Sequence, residues 1–263
     1  MNPIDVLFRS LRAARRKAFM PFVTAGDPDL AFTRELLPAV AEAGADLVEV
    51  GFPFSDPIAD GPVIQASYTR ALDKNLKLAD LFAAIKDVTA RPTFTTPLVA
   101  MASYSLMYRK GPAAFIDTAK AAGFSGAVVP DLPVEEAEEL AKLTRDKDFK
   151  LILLVTPTTS EARAAKVVAA CSGLVYVVSV VGITGARAAV SGQVADLVKR
   201  LRAMTDLPLC IGFGVSTPEQ VREMAALADG VIVGSALVKK LEKPDTAVSE
   251  VAKLVKELSA PLR

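Results

Sequence analysis

Glu49 lies in the run Leu47-Val48-Glu49-Val50-Gly51, a carboxylate set among branched apolar residues. An ionised group in such surroundings is costly unless it has a partner or a task, and burial drives a carboxyl toward the range where it can give and take protons near neutral pH. The residue therefore reads as functional, the alternative being an ion pair that is only structural. The stretch that follows, Gly-Phe-Pro-Phe-Ser-Asp-Pro-Ile-Ala-Asp-Gly-Pro, carries Asp56 and Asp60 among three prolines. That composition predicts an ordered loop, and ordered loops held on a scaffold commonly carry function. The chain has no histidine, which removes the commonest general base, Ser/His/Asp and Cys/His nucleophile systems, and most zinc sites. Its two cysteines, Cys171 and Cys210, are far apart in apolar segments and read as small buried hydrophobes.

Two further segments suggest an anion. Ile211-Gly212-Phe213-Gly214 ends one apolar run and Val233-Gly234-Ser235 ends the next, each followed by a helical pattern. Small residues there let backbone N–H groups converge on a phosphate at a helix start; the plainer reading is glycine for tight turns. No lysine closes any of the apolar runs, so backbone dipoles are the expected ligands. Ahead of both, residues 177–192 carry Gly182, Gly185, Gly192, Thr184 and Ser191. This segment reads as a lid, or as a surface loop without catalytic duty.

These residues need a frame that brings them together. Apolar, β-rich runs fall at 18–26, 45–51, 96–103, 126–131, 150–157, 174–180, 207–214 and 229–235, with helical patterns at 31–43, 78–89, 112–122, 134–145, 160–169, 191–204, 217–227 and 236–258. Runs apolar on both faces belong to parallel sheets covered by helices. Strict alternation over the whole chain predicts one (β/α)8 barrel spanning residues 1–263 as a single catalytic domain, a size this fold commonly has. A doubly wound sheet is the alternative, disfavoured because no Gly-x-Gly-x-x-Gly follows the first strand. In a barrel the strand C-termini hold the chemistry. Those positions are Phe22–Asp27, Glu49, Asp56–Asp60, Ser103, Asp131, Thr156, Tyr176–Thr184, Gly212–Gly214 and Gly234–Ser235. Before the first strand, Asn2 as N-cap, Pro3 at the first helical position, Asp5, and a stripe of Ile4, Leu7, Phe8 and Leu11 predict an extra N-terminal helix lying on the barrel, not a transit peptide. With 51% hydrophobic residues, 23% charged residues and a net charge of +1, the chain can bury a large core and has no electrostatic pull on nucleic acid or an anionic membrane. No apolar run is long enough to span a bilayer. A cytoplasmic protein is expected.

The blocks AFMPFVTAGDP, GADLVEVGFPFSDPIADGPVIQ, VVPDLPVEE, GITGAR, IGFGVSTPEQV and ADGVIVGSALV occur in this order over nearly the whole chain. Together they resemble the tryptophan synthase α subunit, and the EVGFPFSDPIADGP block is the most specific of them. The resemblance implies a carbon–carbon lyase of tryptophan biosynthesis that splits indole-3-glycerol phosphate by a retro-aldol reaction, without metal or Schiff base. By the same resemblance Glu49 is the acid/base and Asp60 holds the indole N–H. Phe22 packs on the indole, Tyr176 lies near the substrate, and Thr184 on the lid orders Asp60. Gly185, Phe213, Gly214, Gly234 and Ser235 bind the phosphate, with Gly212 in the same turn. It implies no cofactor in this chain, a β subunit carrying pyridoxal phosphate as partner in an α2β2 tetramer, and contacts to that partner through Asp56 and Ser105. Two places depart from the family's usual residues: Ser103-Tyr104-Ser105 after the third strand, and Val181 in the lid. A regulatory partner without efficient catalysis and a related phosphate-binding isomerase are the competing functions. The carboxylate pair argues against the first, the EVGFPFSDPIADGP block against the second.

Overall fold

The computed structural model describes residues 1–58, 60–179, 187–212, 214–242 and 244–263. Its strands are β1 (Ala18–Thr24), β2 (Val48–Gly51), β3 (Leu98–Met101), β4 (Phe124–Val128), β5 (Lys150–Ile152), β6 (Leu154–Val155), β7 (Val175–Val178), β8 (Leu209–Gly212) and β9 (Gly230–Val233). All recorded pairings are parallel, in the order β5-β4-β3-β2-β1-β9-β8-β7-β6. The expected strand at 150–157 is thus two segments. Lys150–Ile152 pairs with β4, and Leu154–Val155 pairs with β7. Between them Leu153 turns its N–H to the Cys171 sulfur, 3.3 Å away, and accepts from the Tyr176 N–H at 3.2 Å. One stretch of chain therefore serves both edges and the barrel closes through it.

The alternation of side chains along the strands sorts the core into two layers. Phe19, Val48, Val50, Leu98, Ala100 and Ala127 pack outward beneath the helices. Ala18, Met20, Leu47, Val99, Val128, Ile152, Tyr176, Cys210 and Ile232 fill the interior. Cys171 and Cys210 are both free and buried. The helix Pro3–Ala13 starts at Asn2, whose side chain accepts from the Ile4 N–H. Ile4, Phe8 and Leu11 on its buried face join the interior cluster, so this helix plugs the N-terminal end of the barrel. The Asn2 amide fixes it there, donating to the carbonyls of Ser125 (2.9 Å) and Asp148 (3.1 Å).

Several boundaries depart from the periodicity. Two helices, Pro62–Leu72 and Tyr104–Lys110, stand where loops were expected. Both open directly after strand-end segments whose proline and serine content masks the helical period. The terminal helix at 236–258 is instead Ser235–Val238, a 3-10 turn Lys239–Glu242 and Pro244–Ser259. Pro244 has no N–H to continue a ladder and sits at the start of the last piece. The pattern at 134–145 divides into a 3-10 turn, Val134–Glu136, and the helix Glu138–Asp146. Thr217 caps Pro218–Leu227 in a full capping box with Gln220. Among the described residues no helix is long and apolar enough to cross a membrane.

Asn2→Ala removes a helix cap and leaves two strand-end carbonyls without their donor. It is expected to cost about 2 kcal/mol, read as a lower urea midpoint. An unchanged midpoint means that the plug helix contributes nothing to barrel stability.

Candidate active site

Phe22 and Glu49 are register partners on β1 and β2. They sit one layer above the closed interior, where the barrel opens. Glu49 is 1% exposed, and its Oε1 has no hydrogen-bond partner among the described residues. Burial, reinforced by the nearby charge of Asp60, pushes its carboxyl up from 4.5 to about 8. Asp60 approaches from the loop after β2, largely shielded by burial and repelled by Asp131, and rises from 3.8 to about 6. At neutral pH the pair thus splits into a neutral Glu49 and an ionised Asp60, the separation of roles that acid/base chemistry needs.

Three glycines make the space. A Cβ on Gly51 would strike the Phe22 ring and stand 2.9 Å from the Tyr68 hydroxyl. One on Gly212 would strike the Tyr176 hydroxyl, so this glycine seats a tyrosine and does not itself line the cavity. Gly214 adopts a φ of +74°, the left-handed region that a side chain disfavours. The resulting cavity, about 360 Å³, is lined by Phe22, Glu49, Asp60, Tyr176, Gly214, Gly234 and Ser235, together with Val63, Ile64, Met101, Ser216 and Lys239. The carboxyls lie among apolar groups at one part of this wall, and the first turn of the helix Ser235–Val238 forms another. First-turn N–H groups have no acceptor within their own helix and are natural donors to an anion. The start of Pro218–Leu227 is differently placed, because Gln220 Oε1 already accepts from the N–H groups of Ser216 (2.8 Å) and Thr217 (3.2 Å).

Thr184, Gly185, Phe213 and Val181 lie outside the described residues. Asp56 is exposed on the β2 loop beside Ile58, which is 78% exposed. Ser105 is exposed at the start of Tyr104–Lys110, its N–H donating to Ser103 Oγ at 3.2 Å. Asp131, at the end of the fourth unit, accepts from Ser103 Oγ at 2.5 Å and from the Tyr104 N–H at 2.8 Å. The loop that carries Asp60 is held from both sides. Gln65 donates to the Asp60 carbonyl at 2.7 Å. Arg70, on the same helix, grips the buried Asp27 carboxylate through Nε (3.0 Å) and Nη2 (2.6 Å), and Ser67 adds a hydroxyl donor.

Residues that pattern reading missed have traceable signals. Tyr68, whose ionisation is pushed up by burial and then by Asp60 and Glu49, rides on the unrecognised helix opened by Gly61-Pro62. Lys239 follows Ser235 at a one-turn spacing and puts a cation on a wall that was expected to be neutral.

The fold and this site define a (β/α)8 barrel with two carboxyls, Glu49 and Asp60, on the wall of a cavity at the C-terminal ends of its strands. A family model described as tryptophan synthase alpha chain matches residues 8–262. A tryptophan synthase alpha chain of Rhodopirellula baltica is 52% identical over 92% of this chain and 87% of that one. One from Synechocystis is 47% identical over 92% and 91%. Among solved structures, a ligand-free tryptophan synthase from M. tuberculosis superposes with a TM-score of 0.89 at 32% identity, covering 100% of this chain and 99% of that one. The tryptophan synthase subunit alpha of Legionella pneumophila gives 0.90 at 32% identity, covering 100% and 98%. The chain belongs to the tryptophan synthase alpha chain family.

A carboxyl raised from 4.5 to about 8 binds its proton more tightly in the folded than in the unfolded chain. Its contribution to stability is therefore present at low pH and is lost as pH rises from the unfolded value toward 8, with a slope of up to about 1.4 kcal/mol per pH unit. Glu49→Gln should flatten the decline of stability over that window and be more stable than the parent at pH 8 in urea unfolding. Parallel stability–pH curves for the two proteins would show that Glu49 is ionised without cost.

Proposed function

We propose that this chain is the lyase half of tryptophan synthase, cleaving indole-3-glycerol phosphate to indole and D-glyceraldehyde 3-phosphate. The observation that carries the reading is Glu49: a buried carboxyl, its Oε1 without a partner among the described residues, on the wall of a cavity that Asp60 also lines, in a chain of this family. Neutral Glu49 gives its proton to indole C3. The ring becomes an indolenine, able to accept the electron pair of the bond between C3 and the glycerol side chain. Asp60, ionised, holds the indole N–H and stabilises the positive charge that develops on it. As the bond breaks, the Glu49 carboxylate takes the proton of the neighbouring hydroxyl, which becomes the aldehyde, and the acid is restored. Phe22 packs on the indole and Tyr176 lies against the substrate. Gly214, Gly234 and Ser235 offer the phosphate their N–H groups, with Gly185 and Phe213 completing the set and Thr184 ordering Asp60. Every proton and electron pair in this scheme stays with substrate or carboxyl, so it asks for no cofactor in this chain.

Glu49→Gln should lower the cleavage rate by about 10² to 10⁴-fold while glycerol phosphate still binds. In the parent enzyme kcat/KM should fall below about pH 6, as Asp60 protonates, and above about pH 8, as Glu49 loses the proton it must donate. Indole release, followed across pH, measures both. More than a tenth of the parent rate in Glu49→Gln would take the proton transfer away from this residue.

Indole is small and apolar and escapes readily, so a cytoplasmic enzyme making it gains by passing it on directly. The partner in this reading is a tryptophan synthase β subunit carrying pyridoxal phosphate, in an α2β2 tetramer, docked over Asp56 and Ser105 on the face where the strands end. Closing that face excludes water and commits the substrate. Cleavage should be slow for the chain alone and rise markedly with its cognate β subunit, and Asp56→Ala should weaken that response while leaving the basal rate intact. A full rate without the partner, unchanged at saturating β subunit, would remove the coupling.

A further inference from the structure

At the opposite end of the barrel from Glu49, a second cavity of about 220 Å³ opens beside the plug helix. Arg12, Arg15, Arg16 and Lys17 line it, against the single carboxylate of Asp229. That carboxylate is already shared, meeting Arg202 at 2.5 Å and Lys17 at 3.9 Å. Arg16 reaches Asp46 with one terminal nitrogen at 3.3 Å, while its Nε is buried with no partner. Among the described residues Arg12 finds only the backbone carbonyl of Asp206, at 3.3 Å. Arg15 forms no salt bridge among the described residues. Positive charge is therefore in excess here, and part of a guanidinium is desolvated without an acceptor, an arrangement that is unfavourable until an anion arrives.

The backbone here is a helix C-terminus, whose dipole is negative, so an anion must be held by the guanidinium groups and not by the main chain. Helix Pro3–Ala13 ends with the Arg16 N–H on the Leu11 carbonyl and the Arg15 N–H on that of Arg12, and this turn holds Arg15 at a φ of 55°. Glycine takes that conformation without penalty, and arginine does not. The other side of the cavity is apolar, formed by Phe8, Leu11 and Pro208.

We propose that this cavity is a binding site for a small aromatic or aliphatic phosphate monoester, its phosphate held by Arg12, Arg15 and Arg16 and its apolar part laid on Phe8, Leu11 and Pro208. The site is separate from the catalytic cavity, with which it shares no lining residue. A ligand there ties the plug helix to the segments that enter β1 and β9, and so stabilises the folded chain by mass action.

Phenyl phosphate and inorganic phosphate are the probes, titrated into the full chain while hydrogen exchange is followed by mass spectrometry. Phenyl phosphate should slow exchange in the peptide spanning residues 8–20, with an affinity about tenfold above that of inorganic phosphate because of the ring it buries. In Arg12→Gln/Arg15→Gly that protection should be lost, while cleavage of indole-3-glycerol phosphate stays at the parent rate. Glycine suits the left-handed turn, so the variant folds, and Arg12→Gln alone should weaken binding by about tenfold. Protection confined to peptides of the catalytic cavity, or equal protection of residues 8–20 in parent and double variant, would overturn the site. Equal affinity for the two probes would overturn the role of the apolar wall.

Discussion

A closed parallel barrel has an interior only as wide as its own side chains, and everything placed inside it competes for that volume. Here the lower layers are filled by Ala18, Met20, Leu47, Val99 and their neighbours, and the N-terminal helix seals the bottom. The site exists because filling stops one layer short of the top. Gly51, Gly212 and Gly214 remove bulk or free the backbone at that level, and the rings of Phe22 and Tyr176 take up positions that any β-carbon on the first two glycines would deny them. Water is excluded by the same packing, and that exclusion is what raises the Glu49 carboxyl.

Desolvation also separates the two carboxyls. Had Glu49 and Asp60 been equally exposed, they would ionise together and neither would be an acid at neutral pH. Glu49 belongs to a strand and cannot move away from its apolar surroundings, whereas Asp60 comes from a loop and is only partly enclosed. The unequal burial gives one a value near 8 and the other a value near 6. Asp131 takes part at a distance, since its charge, fixed by Ser103 and Tyr104, raises Asp60.

The sequence was most legible where one physical cause dominates. Continuous apolar runs marked the strands, and Asn2-Pro3 and Thr217-Pro218 marked helix starts that the structure reproduces. Glu49 stood out because a charge inside such a run needs an explanation. What escaped was decided by contacts between distant segments. Nothing local to Leu153 announces that it turns away from one neighbour and toward another, because that depends on Cys171 and Tyr176. Nothing local to Gly212 announces that a tyrosine from the adjacent strand fills the space a side chain would need there. Lys239 was hidden by the assumption of one long terminal helix, and Tyr68 by the proline-rich loop before it.

The double grip of Arg70 on Asp27, with Gln65 bound to the Asp60 carbonyl, divides the β2 loop into two parts with different freedoms. Its C-terminal foot is fastened to the scaffold through the helix Pro62–Leu72. Its N-terminal root is fastened by Phe52, buried among Phe82, Phe115 and Phe124. Asp56 and Ile58 lie between these moorings with exposed side chains, and between them only the Pro57 carbonyl is tied down, by Gln65 at 3.4 Å and the Asp60 N–H at 3.0 Å. Natural variation in the side chains at the crest can therefore change the exposed surface while the carboxyl at its base stays on station.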